Sequence, residues 1–464
     1  MQTETRRLTG WGRTAPSVAD VVDVPGPASS EHDSALDPDQ WLEAAASAAP
    51  SRGIIARGLG RAYGDPAQNG GGTVVQLRPS ANPVWIDTEA HTATVDAGVS
   101  LDELLRRIVA HGYFVPVTPG TRFVTVGGAI ASDIHGKNHH ADLSFGQHVT
   151  AFELLLASGE IRTVTSASDP DLWWATLGGM GLTGVIVRAT VRLLPVETSR
   201  CLVRTQRLDR FDSLLAEMED GDDQYRYSVA WVDLTATGRR FGRSVLQQGD
   251  HATLADLDAH DAKALRDPRA FDPGALATVP PMPNVMNRVA VRAFNELWFR
   301  KAPRDHVGLE TLTGFFHPLD GVRDWNRFYG AAGFLQYQFV GPFDAVDTRR
   351  TITERVVADG NASVISVLKR FGAESGGMLS FPKPGWTLTF DLAAGVASLP
   401  TLLAELDAMV IAAGGRHYLA KDAHTTPEVI AAGYPRLDEW KAVRRSVDPD
   451  GRWASDQARR LALL

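Results

Sequence analysis

The sequence predicts an α+β fold of two domains, in which a substrate domain is built on an antiparallel sheet flanked by helices. The chain has 464 residues, which is longer than a chain that folds around a single hydrophobic core usually is. Residues 1–197 mix short strand patterns with helices and closely spaced glycines. Residues 198–412 contain strands that alternate polar with apolar or aromatic residues, as antiparallel strands with one lined face do. Residues 413–464 are expected to return to the first domain.

The first glycine-rich segment, Ala56–Asp65, places Gly58, Gly60 and Gly64 close to the spacing of a dinucleotide-binding Rossmann turn. That motif requires a helix to begin on its glycines. A proline and three consecutive glycines follow instead, and they cannot open a helix. The segment is therefore predicted to be a loop between short strands. It is either an ordinary surface turn or a loop whose backbone amides hold a pyrophosphate.

A strand, a helix and a hairpin are predicted in the remainder of the first domain. Residues 92–99 alternate in polarity and predict a half-buried strand. Ser100 and Glu103 form a capping box before an apolar stripe, so a helix is predicted from the next residue until Gly112. Within 152–164, two apolar runs flank a Ser-Gly turn and predict a β-hairpin.

The second glycine-rich segment, Gly120–Gly136, ends in a cluster of polar residues. The spacing of His135 and His139 would place two metal ligands on one helical face, which makes zinc a hypothesis. Gly136 and Asn138 disfavour a helix, and no third ligand has a recognisable spacing, so no metal is predicted. A third interpretation fits better: the glycines bring the backbone against a bound cofactor and leave His135 at its reactive edge.

The middle of the chain predicts a sheet that presents side chains to a cavity. Its strands are expected at 225–232, 334–340 and 386–392, where polar and apolar residues alternate. A proline-rich stretch at 271–283 predicts a loop, and the apolar stripe of 289–298 predicts a helix. We expect this stripe to pack against the sheet, with a lipid-facing surface as the alternative.

Composition and charge exclude several classes of protein. The net charge is −8, with 47 basic and 55 acidic residues, which argues against a nucleic-acid binder. Cys201 is the only cysteine, so no internal disulfide or thiolate cluster is expected. The N-terminus lacks the apolar core of a signal peptide, and no apolar run approaches the roughly 20 residues of a membrane span. We expect a cytoplasmic or peripherally membrane-associated protein.

Four motifs together resemble the vanillyl-alcohol-oxidase, or PCMH, type of FAD-binding proteins, and within it the actinobacterial family of decaprenylphosphoryl-β-D-ribose oxidases. These motifs are Arg57–Asp65, Pro119–Gly128, Asp133–His140 and Trp174–Gly184. The resemblance implies an FAD-binding domain over residues 1–197. The FAD contacts that it implies are Ala56, Arg57, Gly58, Leu59, Gly60, Arg61, Ala62, Tyr63, Gly64, Asp65, Pro66, Gly120, Thr125, Val126, Gly127, Gly128, Ser132, Asp133, Ile134, His135, Ile186 and Tyr418.

Many relatives of this fold attach the flavin covalently through a histidine of the first glycine loop. Arg61 stands at that position here, and Cys201 lies outside the cofactor motifs. The resemblance therefore implies a non-covalent FAD.

The reaction that the resemblance implies is oxidation of the ribose 2′-hydroxyl of decaprenylphosphoryl-β-D-ribose to a 2′-ketone, with the flavin as hydride acceptor. This is the first half of an epimerisation that supplies decaprenylphosphoryl-arabinose for cell-wall arabinogalactan. The protein must position the sugar and take the hydroxyl proton. The candidates are Lys421, His135 and Tyr63, although a lysine could instead stabilise the negative charge of the reduced ring.

The resemblance also implies a substrate pocket with amide and ammonium groups for sugar hydroxyls and a phosphodiester, beside apolar side chains. Thr387 and Phe316 stand where the family pattern has Asn and Tyr, which leaves the exact substrate open, and Thr389 stands where the mycobacterial members have Cys. The implied pocket residues are Lys137, Trp231, Gln338, Lys369, Phe371, Thr387 and Thr389.

The implied partners are a polyprenyl-phosphate sugar, an NADH-dependent 2′-keto reductase and a membrane surface, and the family resemblance also allows a periplasmic location. Two other functions stay open. One is a soluble FAD-dependent carbohydrate or alditol oxidase that uses oxygen, and the other is a flavin-free binding protein of the same fold.

Overall fold

A computed structural model describes residues 3–25, 52–261, 264–274, 276–360 and 363–464. The described residues form three main β-sheets and thirteen α-helices. The prediction of an α+β fold with an antiparallel sheet flanked by helices is confirmed.

Two smaller sheets carry the N-terminal part of the chain. The first has the order β1-β2-β4-β3 and is mixed, because β2, β3 and β4 run parallel while β1 is antiparallel to β2. The second is antiparallel, with the order β5-β6-β10-β8-β9. The strands are β1 Thr3–Leu8, β2 Ser17–Pro25, β3 Ile54–Ala56, β4 Thr73–Arg78, β5 Val84–Asp87, β6 Thr92–Asp96, β7 Tyr113–Phe114, β8 Val149–Leu155, β9 Ile161–Val164, β10 Val185–Arg192 and β11 Leu194–Pro195, with β7 paired to β11.

The third sheet is antiparallel and has eight strands in the order β16-β12-β14-β13-β19-β20-β18-β21. We call it the large sheet. Its strands and a separate parallel pair, β15 with β17, are β12 Arg200–Leu208, β13 Tyr227–Val232, β14 Ser244–His251, β15 Ala277–Thr278, β16 Asp305–Thr311, β17 Val322–Arg323, β18 Phe334–Gly341, β19 Ser366–Phe371, β20 Gly385–Ala393 and β21 Arg416–His417.

The helices connect and cover these sheets. They are α1 Leu101–Ile108, α2 Val126–Ala131, α3 His139–Asp142, α4 Pro170–Thr176, α5 Phe211–Gly221, α6 Leu254–His260, α7 Arg288–Lys301, α8 Leu312–Phe316, α9 Val346–Asp359, α10 Leu399–Ala412, α11 Pro427–Gly433, α12 Leu437–Val447 and α13 Asp456–Arg460.

Alternate residues of the large sheet face opposite sides, because side chains of a β-strand alternate with a period of two. Leu368 and Leu388 belong to a buried apolar core that includes residues of α5, α9 and α10. Lys369 and Thr389, one position further along the same strands, face a cavity on the other side. The predicted sheet that lines a cavity is present. The alternation places the polar residues of the site on the side of the sheet that faces the cavity.

The C-terminal segment contacts the N-terminal sheets. Trp453 forms a parallel bridge with Ile54, and Arg460 of α13 pairs with Asp65 at 2.6 Å. These contacts agree with a C-terminal segment that returns to the first domain, although β21 of the same segment pairs with β18 in the large sheet. The division into 1–197, 198–412 and 413–464 stays a prediction.

The helix at 289–298 forms as predicted, but its expected orientation is wrong. The residues of α7 that pack inward are Val291, Asn295 and Phe299. The predicted stripe faces outward instead, with Val289 79% and Leu297 67% exposed. Both sides of this helix carry apolar residues, so the periodicity alone did not decide which side is buried.

Candidate active site

A cavity of about 890 Å³ lies between the two glycine-rich segments and the large sheet. Much of its N-terminal wall is backbone, because glycines contribute no Cβ and allow a ligand to approach the peptide groups closely. The glycines in this wall are Gly58, Gly60, Gly98, Gly120, Gly127, Gly128, Gly181 and Gly184.

The first glycine loop is held in place by its own arginine. The Arg57 guanidinium donates to the carbonyl oxygens of Thr9, at 2.7 Å, and Ala67, at 2.9 Å. Gly60 has a φ of +64°, and a Cβ at this position would collide with that guanidinium. The loop therefore requires glycine here for both its conformation and its packing. No helix begins on it, as predicted.

The second glycine segment opens a short helix. The hydroxyl of Thr125 accepts a hydrogen bond from the Gly128 N–H at 3.2 Å and caps α2. Thr125 also touches the first loop, since a Cβ at Gly58 would collide with its hydroxyl. The two segments thus form one continuous surface.

Arg61, predicted to stand at the attachment position of covalently flavinylated relatives, lies against the Trp11 ring. Its guanidinium carbon lies 4.0 Å from the centre of the Trp11 ring, and both residues line the cavity. This stacking holds a cation at that position.

The residues present fit an FAD molecule. Gly120 lines the cavity and has no atom within 4 Å of where a Cβ would stand, so this stretch of wall is open to a ligand. Every predicted cofactor residue lines the cavity except Gly64, Asp65, Val126 and Asp133.

These four residues lie behind the wall. Gly64 packs on the backbone of Asp422, Asp65 pairs with Arg460, and Val126 is fully buried in a core cluster. Asp133 is also fully buried, and it accepts hydrogen bonds from Ser144 and from the backbone N–H of Gly146, both at 2.8 Å. They support the wall instead of facing the cavity.

The predicted substrate residues Lys137, Trp231, Gln338, Lys369 and Thr389 all line the cavity. Two further predicted residues, Phe371 and Thr387, stand just behind them. The Phe371 ring packs edge-on against His135, with 4.7 Å between ring centres, and Thr387 hydrogen-bonds Gln338. The structure therefore brings the predicted residues together.

A hydrogen-bonded chain fixes the tautomer of His135. The Thr387 hydroxyl donates to the Phe339 carbonyl at 2.9 Å, so it must accept from the amide nitrogen of Gln338 at 3.1 Å. The same amide group donates to Nε2 of His135 at 3.0 Å. Burial lowers the pKa of His135 well below its usual value, so the ring is neutral and carries its proton on Nδ1. Nδ1 is buried without a partner among the described residues.

Three half-buried lysines line the same cavity. Burial lowers the pKa of Lys137 to about 7, that of Lys369 to about 8 and that of Lys421 to about 7. The ammonium form of such a group is costly in a cavity of low polarity. An anionic ligand group placed among these lysines would restore their charge.

Lys421 belongs to a polar network that the sequence did not reveal in full. Its Nζ lies 3.7 Å from the centre of the Tyr63 ring. Asp391, on β20, accepts from Gln336 Nε2 at 2.7 Å and from the Tyr329 hydroxyl at 3.2 Å. Burial raises the pKa of Asp391 to about 7. Gln336 and Gln338 are two residues apart on one strand face, a signal that could have identified Gln336.

The zinc hypothesis finds no support in the geometry. Within the described ranges no group of three or more His, Cys, Asp or Glu side chains could hold a metal ion. Nδ1 of His139 accepts from the Gly372 N–H at 3.2 Å, whereas Nε2 of His135 is engaged by Gln338.

Comparison with known proteins defines first the class and then the family. Residues 39–165 match the family model described as "FAD binding domain", and residues 398–461 match the model described as "D-arabinono-1,4-lactone oxidase". With the glycine-walled cavity, these matches identify an FAD-dependent oxidoreductase that acts on CH–OH groups.

Over its full length the chain is 47% identical to decaprenylphosphoryl-β-D-ribose oxidase of Mycolicibacterium smegmatis, of which it covers 98%. It is 39% identical, over 79% of its residues, to an uncharacterised Streptomyces coelicolor protein. A D-arabinono-1,4-lactone oxidase of Eremothecium gossypii is 32% identical over 27% of the chain. The chain belongs to the decaprenylphosphoryl-β-D-ribose oxidase family.

Proposed function

We propose that the protein oxidises the 2′-hydroxyl of decaprenylphosphoryl-β-D-ribose to a ketone. One observation carries this proposal. In a chain 47% identical to an oxidase of that name, a single cavity gathers two glycine segments, three lysines and His135. FAD would be held by the two glycine segments, without a covalent bond because Arg61 takes the usual attachment position. When bound, it supplies the hydride acceptor.

Lys421 is the group best suited to take the hydroxyl proton. Burial lowers the pKa of Lys421 to about 7, so a large fraction of this amine is neutral near neutral pH. His135 is less suited, since its basic nitrogen already accepts from Gln338. Tyr63 is also less suited, because burial raises the pKa of its hydroxyl well above the usual value. Nδ1 of His135 is itself buried, so the contribution of His135 is to hold Gln338 in the cavity wall.

Lys369 and Lys137 are suited to the phosphodiester. Both ammonium groups stand in the cavity wall, where an anion replaces the solvation that they lose. Beyond them, Val229, Trp231 and Val245 continue the cavity along the large sheet. This apolar arm suits the polyprenyl chain.

The product ketone requires a reductant before arabinose can result. We infer that a separate NADH-dependent 2′-keto reductase consumes it, as the family resemblance implies. A polyprenyl chain resides in a membrane, so we also infer contact with a membrane face. None of the described helices is long and apolar enough to cross a membrane.

Anaerobic addition of substrate to the FAD-loaded protein tests the proposal. Decaprenylphosphoryl-ribose should bleach the flavin absorbance and yield the 2′-keto product by mass spectrometry. D-arabinono-1,4-lactone and free alditols should leave the flavin oxidised. Bleaching by the lactone or the alditols, but not by decaprenylphosphoryl-ribose, would instead support a soluble carbohydrate oxidase and contradict the proposal. Lys421→Met should retain FAD and lose the fast bleaching phase.

A further inference from the structure

Helix α7 is apolar on two opposite faces, of which only one is covered. Val291, Asn295 and Phe299 pack inward. Val289 and Leu297 project from the opposite side. Large apolar side chains that are exposed together on one face of a helix indicate a further contact.

Exposed apolar side chains are concentrated in the segment that contains α7, and two of them, Phe294 and Trp298, stack on each other. Among the described residues, seven of the thirteen exposed large apolar side chains fall between positions 276 and 307. Clustering of this kind marks an interaction site, whereas isolated exposed apolar residues are ordinary. The members of this surface are Leu276, Val285, Val289, Phe294, Leu297, Trp298 and Val307.

The same surface is positively charged, although the whole chain carries −8. Residues 288–305 include five basic and two acidic side chains. Both acidic residues are neutralised: Glu296 pairs with Arg243 and Arg300, and Asp305 pairs with Arg204. The exposed Arg292, Lys301 and Arg304 form no ion pair within the described ranges.

This surface continues into the active-site cavity. Phe294, Trp298 and Lys301 line the cavity, and so does Trp231, which lies next to the substrate lysines in the wall. The Phe294 and Trp298 rings are stacked, with 6.1 Å between their centres and 10° between their planes. A chain that leaves the cavity on this side therefore emerges beside the exposed face of α7.

We propose that α7 and the residues up to Arg304 lie on an anionic lipid leaflet. The exposed apolar face inserts at the headgroup boundary, and the unpaired basic residues contact anionic headgroups. A polyprenyl chain then passes from the leaflet into the cavity beneath Phe294 and Trp298 without crossing water. The inference rests on the proposed function, because it takes the substrate to be a lipid.

Vesicle binding of the full-length, FAD-loaded protein tests this surface without any substrate. The protein should sediment with phosphatidylglycerol vesicles at low salt and remain free with phosphatidylcholine vesicles. Val289→Ser with Leu297→Ser should weaken binding tenfold or more, by roughly the transfer of two apolar side chains. Arg292→Gln with Arg304→Gln should weaken it several-fold for each charge, on the anionic vesicles only.

Val18→Ser with Val396→Ser is the matched control, since both valines are exposed and lie outside the surface. This control should bind vesicles as the wild type does. Wild-type binding by the α7 variants, or equal binding to both lipids, would overturn the proposal. Absence of vesicle binding would also overturn the proposal, and a protein partner would then be the expected occupant of the exposed face of α7.

The two proposals fail separately. Flavin bleaching by detergent-solubilised substrate reports on the proposed function, and the α7 serine variants should retain it because neither residue lines the cavity. Loss of vesicle binding with retained bleaching and FAD content supports the surface. If those variants still bind vesicles as the wild type does, the proposed membrane contact of α7 is refuted. This holds even if flavin bleaching shows that the protein oxidises the substrate.

Discussion

Replacing Asp391 by asparagine is expected to move the acidic limb of the pH–rate profile to lower pH. Asp391 is fully buried, and its negative charge opposes the burial that lowers the pKa of Lys421 to about 7. If neutral Lys421 accepts the hydroxyl proton, the rate of flavin reduction rises as pH passes through that pKa. Removal of the carboxylate charge lowers the pKa of Lys421 further, so the neutral amine persists to lower pH.

The size of the shift follows from the charge of Asp391 itself. An opposite charge a few ångströms away changes a pKa by roughly one to three units. Burial raises the pKa of Asp391 to about 7, so near neutral pH it carries only part of a full charge. The expected shift is therefore about one unit, which corresponds to about 1.4 kcal/mol and a tenfold larger neutral fraction below the limb.

Single-turnover flavin reduction, followed anaerobically from about pH 5 to about pH 9, measures the limb. Asp212→Asn is the matched control, because it makes the same change from carboxylate to amide at an exposed ion pair with Arg350 and leaves Asp391 in place. Its limb should stay where the wild type has it. An Asp391→Asn protein with normal FAD content and an unmoved limb would refute the assignment of Lys421 as the base.

Three further outcomes are expected. Gln338→Leu frees Nε2 of His135 and should lower kcat by up to roughly a hundredfold with FAD content unchanged, measured by steady-state turnover; wild-type kcat would contradict the role of this hydrogen bond. Arg460→Ala leaves the buried Asp422 without its cation and should lower the free energy of unfolding by about 3 kcal/mol, measured by denaturation; an unchanged midpoint would show that the pair is dispensable. Acid precipitation should release all flavin into the supernatant because Arg61 replaces the attachment residue, and flavin retained in the pellet would disprove this.

The fold class was predictable because it depends on local patterns. Alternation with a period of two identified the cavity-lining strands, and the glycine segments identified the backbone wall. The orientation of α7 was not predictable, because residues such as Val291 and Leu297 give both faces an apolar character.

Some members of the site escaped prediction for a different physical reason. Asp391 is the one charged residue of strand β20. Its influence on Lys421 arises only when β20 and the loop after β21 pack together. Asp133 illustrates the reverse case. It stands inside a cofactor motif, but its carboxylate faces buried hydroxyls instead of the cavity.

Deuterium at C2′ of decaprenylphosphoryl-ribose tests the central claim most directly. If this cavity oxidises that carbon, anaerobic flavin reduction by the deuterated lipid should be several-fold slower than by the unlabelled lipid. Deuterium at C3′ should have no such effect. Equal rates with both C2′ isotopologues under single-turnover conditions, or reduction that does not require the polyprenyl phosphate, would contradict the claim.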